Sequence, residues 1–183
     1  MKAVFLDRDG VINEEREDYV KSWDEFTWIK GTKEAIKELN LAHLLVVVVT
    51  NQSSIGRGIV SPTVVENIHE KIQKELEEIG AWIDAFYYCP ALPEEGSPFR
   101  KPQPGMLLQA QRDYQIELGN SYLIGDSLSD IETGYKAGCK TILVLTGKGK
   151  DQLANMTLKM VRPHIIAQDL SEAVKIILNS QEG

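Results

Sequence analysis

The chain has 183 residues, 43% apolar and 26% charged, with a formal net charge of −7 and an isoelectric point of about 5.1. This is the composition of an ordinary globular protein with one core, and its acidity speaks against nucleic-acid binding, which needs a basic stripe. The longest apolar run, at 44–49, is far too short for a membrane span, charges arrive at Asp7, Arg8 and Asp9 where a signal peptide would stay apolar, and Cys89 and Cys139 make no disulfide framework. The expectation is a single-domain cytoplasmic protein, a monomer, acting on neither nucleic acid nor membrane. Along the chain, 3–6 is a short β-prone run that stops at charged residues, and 32–42 puts Ala35, Ile36 and Leu39 at helical spacing. The run at 44–49 is continuous and β-branched, as suits a strand buried on both faces. A helix over 61–80 opens with Ser61 and Pro62 and stops at Gly80.

Beyond it come a strand at 83–88, a helix at 104–115, a strand at 121–125, a helix at 128–138, strands at 141–145 and 164–167, and a helix at 170–180; 148–161 is undecided between helix and coil. Strands alternating with helices predict βαβ units. The fold class is α/β: a Rossmann-like three-layer α/β/α sandwich with a mainly parallel sheet, in one domain over 1–183. Right-handed crossovers put all strand C-terminal ends on one edge, where ligands bind. The irregular segments 11–31 and 89–103 hang over that edge, and neither leaves room for a cap domain.

That edge collects Asp7 and Asp9 after the first strand, Thr50 and Asn51 after the second, Lys101 at the end of the loop after the third, and Asp126 and Asp130 after the fourth. A lone carboxylate after a strand usually caps a helix or a turn. Four such clusters together mean more. Close carboxylates repel unless a cation sits among them, and oxygen ligands without histidine suit a hard ion such as Mg²⁺. Asp7 and Asp9, two apart on an extended chain, point to one side, so one can ligate and attack while the other moves a proton. Thr50 and Lys101 are donors suited to a transferring phosphoryl group. The set points to phosphoryl transfer through an aspartyl-phosphate. A receiver-like signalling domain, or a non-catalytic binder of phospho-ligands, would offer a similar acidic cluster, and the D-x-D followed by Gly10 argues against both.

In sequence these residues resemble the haloacid dehalogenase superfamily of phosphatases. "FLDRDG" is similar to its nucleophile motif, "VVVVTN" to the second, Lys101 to the third-motif lysine and "IGDSLSDI" to the fourth. The resemblance implies Asp7 as nucleophile and metal ligand, and Asp9 as general acid and then base, its backbone carbonyl also on Mg²⁺. It implies Thr50 and Lys101 on the phosphoryl group, Asp126 as a further Mg²⁺ ligand, and Asp130 one layer out, orienting Lys101 or a metal-bound water.

A finer resemblance, carried by "DRDGVIN", "DYV", "TNQSSIGRG" and "RKPQPGM", is to the branch of heptose-bisphosphate and histidinol-phosphate phosphatases. It implies a small phosphorylated metabolite as substrate, the heptose bisphosphate ahead of histidinol phosphate or another sugar phosphate. It also implies substrate contacts from the residues after the nucleophile, from Asn51, Gln52, Ser53 and Arg57, and from Arg100 at the non-reacting end. The chain departs from that branch in two places. Its zinc loop keeps Cys89, but Ala91, Ser97 and Phe99 stand where His and two Cys would be, and one thiolate cannot make a four-ligand site, so no zinc is expected. Ser127 stands where a lysine often follows the fourth-motif aspartate. His43, His69 and His164 read as lying away from the cluster. Trp23, Trp28 and Trp82 read as core or loop anchors, and Lys148 and Lys150 in "TGKGK" as part of a solvated loop.

Overall fold

The computed structural model of the chain describes residues 1–157 and 161–180. Six strands, β1 (Ala3–Leu6), β2 (Leu45–Asn51), β3 (Ala85–Cys89), β4 (Tyr122–Gly125), β5 (Lys140–Val144) and β6 (Ile165–Ala167), form one sheet in the order β3-β2-β1-β4-β5-β6. All five pairings are parallel. The strand order reverses direction at β1, which has β2 on one side and β4 on the other, and in such sheets the crevice beyond that point is the ligand site.

Alternation along each strand feeds two cores. Val4 and Leu6 join Val46 and Val48 on one face, and Ala3 and Phe5 join Val47 and Val49 on the other. The first face is closed by α1 (Thr32–Leu41), α3 (Pro62–Glu77) and α7 (Leu170–Asn179) through residues such as Ile36, Ile72 and Val174. The second is closed by α4 (Gly105–Tyr114), through Met106, Leu107 and Ala110, and by α5 (Leu128–Ala137), whose Gly134 lies over Leu123. This is the predicted three-layer sandwich. None of the described helices is long and apolar enough to cross a membrane.

The differences from the sequence reading are local. β2 runs on through Thr50 and Asn51, because their backbones pair with Tyr88 and Cys89 although their side chains are polar. A single-turn helix, α2 (Ser53–Gly56), is too short to show periodicity in sequence. The undecided segment 148–161 contains α6 (Gly149–Ala154); its residues 158–160 lie outside the described residues. The segment after β1 is tied down rather than loose. Asn13 bridges to Trp28, Trp23 stacks on Phe26 at 4.7 Å, and the Trp28 indole N–H donates to Glu75 of α3. Trp82, expected as an anchor, is 44% exposed.

Candidate active site

Asp7 follows β1 and Asp126 follows β4, side by side across the switch point, with the Asp7 N–H donating to the Ile124 carbonyl at 3.0 Å. Gly10 makes the turn that lets the two strand ends approach. Its φ is +86°, and a Cβ there would overlap the Asp126 carboxylate. Carboxylate oxygens of Asp7, Asp126 and Asp130 lie within 4.8 Å of one another. Burial, then repulsion from the neighbouring carboxylates, pushes Asp126 up to about 8. Burial also dominates at Asp7, where the nearby Lys101 ammonium offsets part of it and the pKa still rises to about 7.

Lys101 is 4% exposed, and its ammonium touches Asp130 at 2.6 Å, Asp7 at 3.0 Å and the Val49 carbonyl at 3.0 Å. Burial disfavours its charge, but Asp130 and Asp7 outweigh that and push its pKa above the ordinary lysine value. Asp130 is wholly buried and does two jobs. One oxygen holds Lys101, and the other accepts from the Ser127 N–H and hydroxyl at 3.2 and 2.7 Å in the capping box of α5.

Asp9 sits in a separate network. The Arg8 guanidinium donates to both its oxygens at 2.9 and 3.1 Å, Asn13 to one at 2.9 Å and Gln52 to the other at 2.9 Å. Burial opposes the charge on Asp9. The Arg8 charge and the hydrogen bonds from Asn13, Arg8 and Gln52 prevail, and its pKa falls below the ordinary carboxylate value. Arg8, expected with its neighbours to reach substrate, is instead 1% exposed behind Asp9. Its far nitrogen lies 3.5 Å from His69 Nε2, and the His69 ring stacks on Phe86 at 4.5 Å. His69 therefore backs the Asp9 network through Arg8 rather than lying away from the cluster. Burial, and then Arg8, pushes its pKa down to about 3, so the ring is neutral and accepts from the guanidinium. Nothing in sequence marks this, because α3 and β1 meet only in the fold.

The second-motif residues divide. Thr50 is 1% exposed, and its hydroxyl accepts from Gln52 Nε2 at 2.9 Å. Gln52 lines the cleft and joins Thr50 to Asp9. Asn51 also lines the cleft, and its amide clamps the backbone of Lys101, donating to the carbonyl at 3.1 Å and accepting from the N–H at 3.0 Å. Ser53 lines the cleft at the start of α2. Arg57 is exposed at the end of that helix and, among the described residues, takes no part in the lining of the cleft.

The loop from Cys89 to Lys101 is held by its own polar groups. The Arg100 guanidinium donates to the Ala91 carbonyl at 2.9 Å, the buried Cys89 sulfur faces the Ser97 hydroxyl at 3.7 Å, and that hydroxyl accepts from the Phe99 N–H at 3.2 Å. Arg100 also lines the cleft. Glu15, Arg16, Tyr19, Ser129 and Lys148 line it as well. Lys148, expected in a solvated loop, is fixed at its backbone. Its N–H donates to Asp126 at 2.8 Å, and its ammonium pairs with Glu15 at 2.9 Å.

Known proteins share this architecture. A profile of the HAD-hydrolase-like family matches residues 98–173. The D-glycero-beta-D-manno-heptose-1,7-bisphosphate 7-phosphatase of Bordetella bronchiseptica is 40% identical over 154 residues, covering 84% of this chain and 86% of that one. The D-glycero-D-manno-heptose-1,7-bisphosphate 7-phosphatase of Chlorobaculum tepidum is 40% identical over 185 residues, covering 94% and 92%. The crystal structure of D,D-heptose 1,7-bisphosphate phosphatase from B. bronchiseptica, complexed with magnesium and phosphate, superposes with a TM-score of 0.93 at 36% identity, covering 98% of this chain and 99% of that one. The chain belongs to the haloacid dehalogenase superfamily of phosphatases, in its heptose-bisphosphate phosphatase branch.

Proposed function

We propose that this chain is a Mg²⁺-dependent phosphatase that removes the 7-phosphate of D-glycero-D-manno-heptose 1,7-bisphosphate through an aspartyl-phosphate on Asp7. The observation that carries the chemistry is the meeting of Asp7, Asp9, Thr50, Lys101 and Asp126 in one cleft at the switch point of the sheet. The substrate reading is supported by relatives of that name at 40% identity over most of the chain.

The residues present fit a hard cation. Two carboxylates with raised pKa values face each other, and all the side-chain ligand atoms are oxygen. Asp7, Asp126 and the Asp9 backbone carbonyl would hold Mg²⁺. Asp130 is left out of that set, because Lys101 and Ser127 occupy its oxygens. When bound, the ion neutralises charge on the phosphoryl oxygens.

In the first half-reaction an Asp7 oxygen attacks phosphorus, the bond to the sugar oxygen breaks, and Asp9 protonates that oxygen. Asp9 at rest is ionised, so it must first take up a proton. An incoming phosphate dianion favours this by raising its pKa. In the second half Asp9, again the base, takes a proton from water as the water attacks phosphorus and the Asp7–phosphate bond breaks. Lys101 and Thr50 hold the phosphoryl oxygens throughout. Arg8, Asn13 and Gln52 keep the Asp9 carboxylate aimed.

The protein works as a monomer on a small metabolite in the cytoplasm, in a single domain without a cap, and binds no zinc. Cys89 faces Ser97, and neither Ala91 nor Phe99 carries a metal-binding side chain. Elemental analysis finding one zinc per chain would overturn that last point. The substrate is tested by kcat/KM on the heptose bisphosphate and on histidinol phosphate. A tenfold preference for histidinol phosphate would sink the heptose assignment.

A further inference from the structure

Four cations line the cleft: Arg16, Arg100, Lys101 and Lys148. Three are held in place. Lys101 is buried among Asp7, Asp130 and the Val49 carbonyl, Arg16 is paired with Asp18 at 3.1 Å and with Glu25 at 3.8 Å, and one nitrogen of Arg100 holds Ala91. Lys148 differs. Among the described residues its ammonium has one ion-pair partner, Glu15, and its side chain is 59% exposed.

The root of Lys148 is, by contrast, fixed beside the reacting centre. Its N–H is on Asp126, and the Thr146 hydroxyl donates to the Gly10 carbonyl at 2.7 Å. Gly147 between them, at φ +54°, packs so closely that a Cβ would overlap Asp126 and Gly10. A pinned backbone carrying an exposed ammonium at the cleft is the arrangement of a ligand-binding lysine rather than of a loop cation.

We infer that Lys148 is a specificity-determining residue that binds the phosphate of the bisphosphate which is not cleaved, and that Glu15 holds its place until that phosphate arrives. This rests on the substrate reading above. An ion pair at an exposed ammonium contributes little net stability, so the ammonium leaves Glu15 readily for a dianion. The flexible stem and compact charge of lysine suit such an exchange. With Ser127 neutral at the adjacent position, the β5–α6 loop supplies the cation on this side of the cleft.

The test measures kcat and KM of the full-length protein, K148Q and E15Q on D-glycero-D-manno-heptose 1,7-bisphosphate and on the corresponding 7-phosphate. These substrates share the scissile group and differ in the second phosphate. The expected result is that K148Q lowers the preference for the bisphosphate at least tenfold, mainly through KM, while E15Q keeps or raises that preference. An equal loss on both substrates in K148Q would overturn the inference and make Lys148 a support for Asp126. A matching loss of preference in E15Q would also overturn it, by making the ion pair a fixed strap. A wild-type protein that hydrolyses p-nitrophenyl phosphate but neither heptose ester would instead overturn the substrate reading, and this inference with it.

Discussion

Asp130→Asn removes one charge from the most buried part of the site without changing its shape. Asp130 has no exposed surface, and Lys101 keeps Asp7 and the Val49 carbonyl when Asp130 is neutralised. Taking one partner from a buried pair costs about 3–5 kcal/mol, and the remaining partners of Lys101 place this case at about 3 kcal/mol. The amide adds a conflict. If its oxygen faces Ser127, its NH₂ opposes the ammonium. If it turns over, the α5 capping box is lost, at about 1 kcal/mol. For a chain of this size each kcal/mol moves Tm by about 2–4 °C, so the expected drop is about 6–12 °C or more. Thermal denaturation followed by circular dichroism reads it directly. A second variant checks the cause: in D130N/K101M the ammonium that opposes the amide is gone, so part of the lost stability should return although the loss of Lys101 itself abolishes activity. A Tm within about 2 °C of wild type for D130N, or a double variant less stable than both single ones, would refute the reasoning.

Two further outcomes are expected. Without a cation, Asp7 and Asp126 take up protons at about 7 and about 8 in the folded chain, against 3.8 ordinarily. The folded state then holds more protons than the unfolded one over that span, so stability falls as pH rises from about 4 to about 8. Asp9, shifted downward, acts in the opposite sense, contributing stability above the ordinary value that is lost at lower pH. Mg²⁺ competes with the raised protons, so its gain in Tm should be larger at pH 8 than at pH 5; scanning fluorimetry showing equal gains would count against the site. Asn51→Ala frees both backbone groups of Lys101 and should lower kcat about tenfold or more with a smaller change in KM, since misplacing a positioned group by a fraction of an ångström is costly. A rise in KM alone, at unchanged kcat, would return Asn51 to the substrate.

Strand runs, helix stops and the convergence of Asp7, Asp9, Thr50, Lys101 and Asp126 on one sheet edge are legible in the linear sequence. Periodicity reports which faces are buried, and the handedness of βαβ connections then puts every strand end on the same side. Lys101 is carried to that edge by the loop after β3, while Asp7, Asp9, Thr50 and Asp126 sit within a few positions of a strand end, so local pattern suffices to place them. Their partners do not. That Asn51 grips Lys101, that Gln52 bridges Thr50 and Asp9, that His69 of α3 backs Arg8, and that Lys148 reaches Glu15 are all facts about residues from different elements. Each side chain had a defensible local reading, as a substrate contact, a helix-face histidine or a loop cation. Hydrogen-bond geometry is decided at the scale of an ångström, by how strands pair and helices pack. Local residue order sets the chemistry at the strand ends, and the packing of strands against helices sets which neighbours hold that chemistry in place.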